Sequence, residues 1–226
     1  MENLEHLRNS SHRPQPKKFV VILLRIIFKL LYHQFAWTYD GIASLVSLGD
    51  WKKWVLSAIP FVTGPNILEI GFGPGHLLVE LSRKGIITFG LDESPQMIKL
   101  AKDRLRRTGS PNHLLRGEAQ ALPVASECIH QVVMTFPAEY ILNPVTLTEI
   151  HRILIEGGKV VIIPFAWITG RTPWHRLAAW INRISGEAPL WDEISLDPLK
   201  NAGFEVGWEM IDFSSSKIVI IQMIKI

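Results

Sequence analysis

The stretch NILEIGFGPGHLLVEL, Asn66–Leu81, constrains the fold more than any other part of the chain. An apolar run reads as a buried strand. Gly71, Gly73 and Gly75 follow within five positions, and then "GHLLVELSRKG" reads as a helix ended by Gly85. Glycines between a strand and a helix permit positive φ and leave room for close approach to the backbone. The same alternation repeats downstream. "ITFGLD" reads as a strand, and "SPQMIKLAKDRLRRTG" as a helix with Ser94 as N-cap and Pro95 at its first position. A short strand lies in "HLLRGEA", a strand in "IHQVVMTF", a helix in "NPVTLTEIHRIL", a turn at Gly157–Gly158 and a strand in "KVVIIPF". Strands alternating with helices predict an α/β fold, a parallel sheet with right-handed crossovers. The closing segment departs from this rhythm: two strands around Ser214–Ser216 predict an antiparallel hairpin.

Composition narrows the function classes. Apolar residues make up 47% of the 226 and charged residues 20%, which excludes a disordered chain. A net charge of +3 is too small to indicate a nucleic-acid partner. The charge is also uneven, because residues 1–29 carry six lysines and arginines against Glu2 and Glu5. Cys128 is the single cysteine, so neither an intrachain disulfide nor a cysteine-based zinc site can form, and no metal site is expected. It reads as a small core residue of a protein suited to the reducing cytoplasm.

Residues 1–60 form an N-terminal elaboration on a main domain expected over 61–226. Residues 1–17 read as a polar tail. "FVVILLRIIFKLLY" follows, 14 residues or roughly 21 Å as a helix, short of a bilayer core. No small-residue cleavage site follows it where a signal peptide would place one. Lys18, Arg25, Lys29 and His33 line one narrow stripe of an otherwise apolar helix. Two roles fit residues 18–33: a cap over the chain's own pocket, or peripheral contact with the inner membrane face, cations toward headgroups. Trp37, Trp51 and Trp54 follow in a helical stretch broken near Gly41 and Gly49, and buried packing explains them most simply. Residues 166–200 read as irregular helix carrying Trp167, Trp174, Trp180 and Trp191, an insertion that in the fold of the family resembled below would roof the substrate.

The glycine loop is selective in what it fits. A dinucleotide fingerprint requires a third glycine where this chain has His76, and a phosphate-binding Gly-Lys-Ser/Thr is missing. Asp92 ends the second strand 21 residues after Gly71, where a carboxylate can accept hydrogen bonds from ribose hydroxyls. Loop and carboxylate together indicate a nucleoside with a ribose.

"LEIGFGPG", "GLDESPQMIKLAKDRL", "GEAQALP" and "EIHRILIEGGKVVII" occur in an order and spacing that resemble the class I S-adenosylmethionine-dependent methyltransferases, notably the branch containing quinone-biosynthesis enzymes. The likeness covers about residues 66–164, and the terminal hairpin more loosely. It implies a Rossmann-like, seven-stranded, mostly parallel sheet with helices on both faces and a C-terminal antiparallel hairpin. It implies S-adenosyl-L-methionine as cofactor. Glu69, Gly71, Gly73 and Gly75 would surround its methionine part, and Asp92 would hold the ribose. Glu93 and Met97 would lie beside the adenine, with Glu118 and Ala119 at its amino edge. Phe136 would face cofactor or substrate, and Tyr39 would close over the cofactor. Two positions depart from the family pattern. Gln131 stands where the fourth strand commonly opens with an acid, and Glu156–Gly157 replaces a common Pro-Gly.

Methyl transfer from a sulfonium needs position and desolvation, and needs a base only where the acceptor must lose a proton. His33, Glu139, Tyr140, His175, Asp192 and Glu193 are titratable groups outside the cofactor motifs, each read as a surface or packing residue, so no catalytic base is assigned. The turn "TFPAEY" after the fourth strand does not match that of nucleobase-amine methylating enzymes. Trp-rich, aliphatic flanks favour a small apolar acceptor such as a quinone, lipid or phenol. Two other readings stay open on the sequence: a cofactor-binding but inactive scaffold, and a nicotinamide-dependent oxidoreductase.

Overall fold

In the computed structural model of the chain, residues 47–137, 139–185 and 195–226 are described. The expectations for residues 18–33, for Tyr39 and for Asp192 and Glu193 lie outside them. The elements run α1 (Trp51–Leu56), β1 (Ile67–Ile70), α2 (His76–Arg83), β2 (Thr88–Asp92), α3 (Pro95–Arg107), β3 (Leu114–Arg116), β4 (Ile129–Thr135) and α4 (Pro144–Ile153). They continue as β5 (Leu154–Ile163), β6 (Ala166–Ile168), α5 (Pro173–Ser185), α6 (Asp197–Asn201), β7 (Phe204–Asp212) and β8 (Ser216–Lys225).

The sheet order is β3-β2-β1-β4-β5-β8, with β1 to β5 parallel and β8 antiparallel to both β5 and β7. Ile218 pairs with Ala166 of β6 and also with Ile211 of β7, so these two strands flank opposite edges of β8. β6 therefore resumes the course of β5 after Pro164. The described strands fill seven positions across the sheet, the expected mostly parallel arrangement with its C-terminal hairpin.

Alternation within the central strands builds two core layers. Leu68, Ile70, Val132, Met134 and Ile162 face one side with Ile150 and Phe204. Ile67, Val133, Val161 and Ile163 face the other with Leu77 and Leu81. A strand buried on both faces must be apolar throughout, and all four residues of β1 are buried. Glu69 is its exception. Helix α3 starts as its sequence dictates: Ser94 accepts a hydrogen bond from the Met97 N–H at 3.3 Å, and Pro95 opens the first turn. Met97, Ala101 and Leu105, four apart, then line its buried face.

The glycines expected as a turn lie instead inside β5. The strand begins at Leu154, and its register with β4 jumps between Ile129 and Gln131. Gly157, at φ +69°, sits in that irregularity, where a β-bulge needs a residue free to take positive φ.

Helix α1 is fastened to the far face of the sheet. Trp54 is buried, and its indole N–H donates to Ser216 Oγ at 2.8 Å. Gln131 explains its own departure from the family pattern. It is fully buried at the amino end of β4, beside Ile67. Its amide donates to the Phe61 carbonyl at 2.8 Å, and its oxygen accepts from the Thr63 N–H at 2.6 Å. The side chain holds the segment that leads into β1, at the opposite rim from the glycine loop. Gln131→Leu would strand two part-buried backbone groups, at about 1 kcal/mol each. We expect it to lower Tm by about 4–8 °C in a thermal melt while leaving affinity for S-adenosylhomocysteine unchanged.

Candidate functional site

The connection from β1 runs outward to β2, and the connection from β3 returns to β4 on the other side. The carboxyl ends of β1 and β4 thus border the crevice where open α/β sheets hold their ligands. The glycine loop fills the start of that rim. Gly71, Gly73 and Gly75 all take positive φ, at +72°, +53° and +79°. A Cβ on Gly75 would stand 2.8 Å from the Cβ of Ala101, so helices α2 and α3 can approach only with glycine here. A Cβ on Gly73 would meet no heavy atom within 4 Å, so this part of the loop faces open space.

Asp92 ties the loop to the second strand. Its carboxylate accepts the Gly73 N–H at 2.9 Å and the Ser94 N–H at 2.9 Å, and the residue is only 2% exposed. Burial raises its pKa to about 6; the two N–H bonds oppose the rise and the charge of Glu93 adds to it. An ionised carboxylate has about four lone-pair sites, so two remain for further donors. The helix cap is Ser94, which frees Asp92 for this second task.

Glu69 is more extreme. It lies within β1, 1% exposed, and neither carboxylate oxygen has a hydrogen-bond partner among the described residues. Burial, and secondarily the charge of Asp92, hold its pKa well above the usual carboxylate range. Two buried acids with so little compensation form a site that favours an incoming cation.

The remaining sequence-predicted residues divide. Met97 is fully buried and Ala119 nearly so, whereas Glu93 and Glu118 are exposed. The Gly117 N–H donates to the Asp92 carbonyl at 3.2 Å, which draws Glu118 and Ala119 toward the end of β2. Phe136 takes φ +53°, and its ring stacks 4.4 Å from Trp51. It packs toward α1.

Two contributions went unread in the sequence. Glu149 and Arg152, on α4, clamp the segment after Ala119. Glu149 accepts the Leu122 N–H at 2.8 Å, and Arg152 donates to the carbonyls of Leu122 and Val124. Their i, i+3 ion pair was the available signal. Tyr140, passed over as a surface or packing residue, leans over the loop. Its hydroxyl is 2.5 Å from where a Cβ of Gly71 would be, while the φ of +72° is what calls for glycine there.

This sheet order, rim loop and carboxylate pair have the arrangement that the resemblance to class I methyltransferases implied. Residues 68–162 match the family described as "Methyltransferase domain". Among curated proteins it is 28% identical over 151 residues to the ubiquinone/menaquinone biosynthesis C-methyltransferase UbiE of Blochmanniella floridana, covering 62% of this chain and 59% of that one. It is 30% identical over 115 residues to the uncharacterized methyltransferase YdaC of Bacillus subtilis, covering 49% and 62%. The chain thus spans less than two thirds of the length of these relatives. Its fold is similar to that of an S-adenosylmethionine-dependent methyltransferase of Thermotoga maritima, with TM-score 0.59, 20% identity and 88% and 99% coverage. It is also similar to a Haemonchus contortus phosphoethanolamine N-methyltransferase solved with S-adenosylhomocysteine, with TM-score 0.57, 16% identity and 78% and 53% coverage.

The residues present suit the cofactor. S-adenosylmethionine carries a sulfonium and an ammonium against one carboxylate, a net positive charge, and the unpartnered oxygens of buried Glu69 can receive it. The spare acceptor sites of Asp92 suit a ribose diol. A side chain at Gly75 would collide with Ala101, and one at Gly71 would be strained by its positive φ.

Proposed function

We propose that this chain transfers a methyl group from S-adenosylmethionine to a small apolar acceptor of quinone, lipid or phenol type. The observation that carries the reading is the buried pair Glu69 and Asp92 beside a loop of three positive-φ glycines. Bound here, the cofactor would supply an activated methyl group. Asp92 would hold the ribose and fix the ligand along the rim, and Glu69 would offset its positive end. The backbone of Gly71 and Gly73 would let it lie close against the strand ends. Burial at this rim would exclude water from the reacting atoms. Tyr140 would border the methionine end from the acceptor side. The quinone part of the proposal is supported by the names of the similar curated enzymes and by the apolar flanks of the site.

One experiment decides among the readings. The intact chain is titrated calorimetrically with S-adenosylhomocysteine and with NAD, then supplied with methyl-labelled cofactor and a panel of quinone, phenol and lipid acceptors. Binding of S-adenosylhomocysteine but not NAD, with label in one acceptor class, is expected. Binding of NAD instead would identify an oxidoreductase, and cofactor binding with no labelled product would identify a scaffold.

A further inference from the structure

Helix α5 leaves the sheet at the same rim as the glycine loop, because β6 extends β5 beyond its carboxyl end. Its first turn is seated firmly: the His175 ring packs on Gly170, where a Cβ would clash with it, and Thr172 Oγ1 hydrogen-bonds His175 Nδ1. Ala178, one turn on, is buried. The opposite face is apolar and, among the described residues, uncovered. Trp174 is 70% exposed, Leu177 47% and Trp180 55%, and their i, i+3, i+6 spacing places all three on one side of the helix.

Charge says what would cover this face. The sequence of α5 contains no aspartate or glutamate. Arg176 borders the apolar face and Arg171 precedes it; both are exposed, and no ion pair among the described residues includes either. A protein core has no use for two exposed indoles on one helix face, and a contiguous apolar patch of this kind marks an interaction surface. Tryptophan beside arginine, on a helix with one wet and one apolar side, matches the chemistry of the boundary between headgroups and acyl chains.

We propose that α5 docks on an anionic lipid bilayer, inserting Trp174, Leu177 and Trp180 at the headgroup level with Arg171 and Arg176 against lipid phosphates. This site lies on a different segment of the sequence from residues 18–33. It rests on the proposed function only for its purpose, which is to bring the cofactor rim to an acceptor dissolved in lipid. The docking face itself stands on exposure and charge.

The test is co-sedimentation of the intact chain with vesicles of phosphatidylglycerol and phosphatidylcholine in equal parts, against vesicles of phosphatidylcholine alone. Trp174→Ser/Leu177→Ser/Trp180→Ser should lose most of the partitioning into the mixed vesicles. Arg171→Glu/Arg176→Glu should lower it about twenty-five-fold or more, at about fivefold per cation removed, and abolish the preference for the anionic lipid. Each variant is also titrated with S-adenosylhomocysteine. Lost vesicle binding with retained nucleoside binding supports the docking face. Lost vesicle binding in chains that never bound S-adenosylhomocysteine keeps the docking face and removes the functional reading. Wild-type partitioning by both variants overturns the proposal. So does a chain that is dimeric by analytical ultracentrifugation and becomes monomeric in the triple variant, since a second copy would then be the occupant.

Discussion

Asp92→Ala is expected to weaken S-adenosylhomocysteine binding by about two orders of magnitude or more in a calorimetric titration. Hydrogen bonds to an ionised acceptor contribute about 1.5–3 kcal/mol each, and a ribose diol offers two donors. The variant also removes the acceptor for the Gly73 and Ser94 N–H groups, so part of the loss comes through a loosened loop. Asp92→Asn separates the two effects. Its side-chain oxygen can still accept one of those N–H bonds, but it carries no charge for the ribose. If the ribose is held as proposed, the asparagine variant melts higher than the alanine variant, because it keeps one of the two N–H bonds, and still loses most of its affinity. Unchanged affinity in both variants would remove Asp92 from the ribose site.

What the sequence made legible was local or periodic. Ser94 and Pro95 announce their helix start without reference to anything distant. The near-continuous apolar runs of β1 and β4 predict burial on both faces. Asp92 could be placed because the end of a strand, a loop and a helix start fix where a carboxylate sits. The less legible features depend on partners far along the chain. Gln131 looked like a missing acid, but its meaning lies in Phe61 and Thr63, about 70 residues earlier. Phe136 follows β4 just where a ligand-facing residue was expected. Its aromatic neighbours are Trp51 and Trp54, and no period in the sequence links them. Glu149 and Arg152 resemble an ordinary surface pair until Leu122 and Val124 are seen beneath them. Gly157 and Gly158 carry the composition of a turn, yet strand pairing on both sides draws them into β5 as a bulge.

The buried acids make stability depend on pH in an unusual direction. Asp92 rises from an ordinary value of 3.8 to about 6, and Glu69 rises well above its own. A carboxyl whose folded pKa is raised binds its proton more tightly in the native state than in the unfolded chain. Its contribution therefore declines as pH climbs from the unfolded pKa through the folded one. For Asp92 that window runs from about pH 4 to about pH 6, and a rise of about two units corresponds to about 3 kcal/mol. Glu69 adds a loss of the same sign. Glu149 and Asp50, whose pKa values are lowered, act oppositely below about pH 4.5. Glu69→Gln isolates the buried pair, because it keeps the shape and removes the ionisation. Denaturant midpoints measured from pH 5 to 8 should show the wild type losing ground to Glu69→Gln as pH rises. S-adenosylhomocysteine, whose ribose and ammonium favour the ionised acids, should bind the wild type about tenfold more tightly at pH 7 than at pH 5. A pH-independent difference between the two proteins would mean that Glu69 does not titrate in that range. A pH-independent affinity would mean that neither acid meets the ligand.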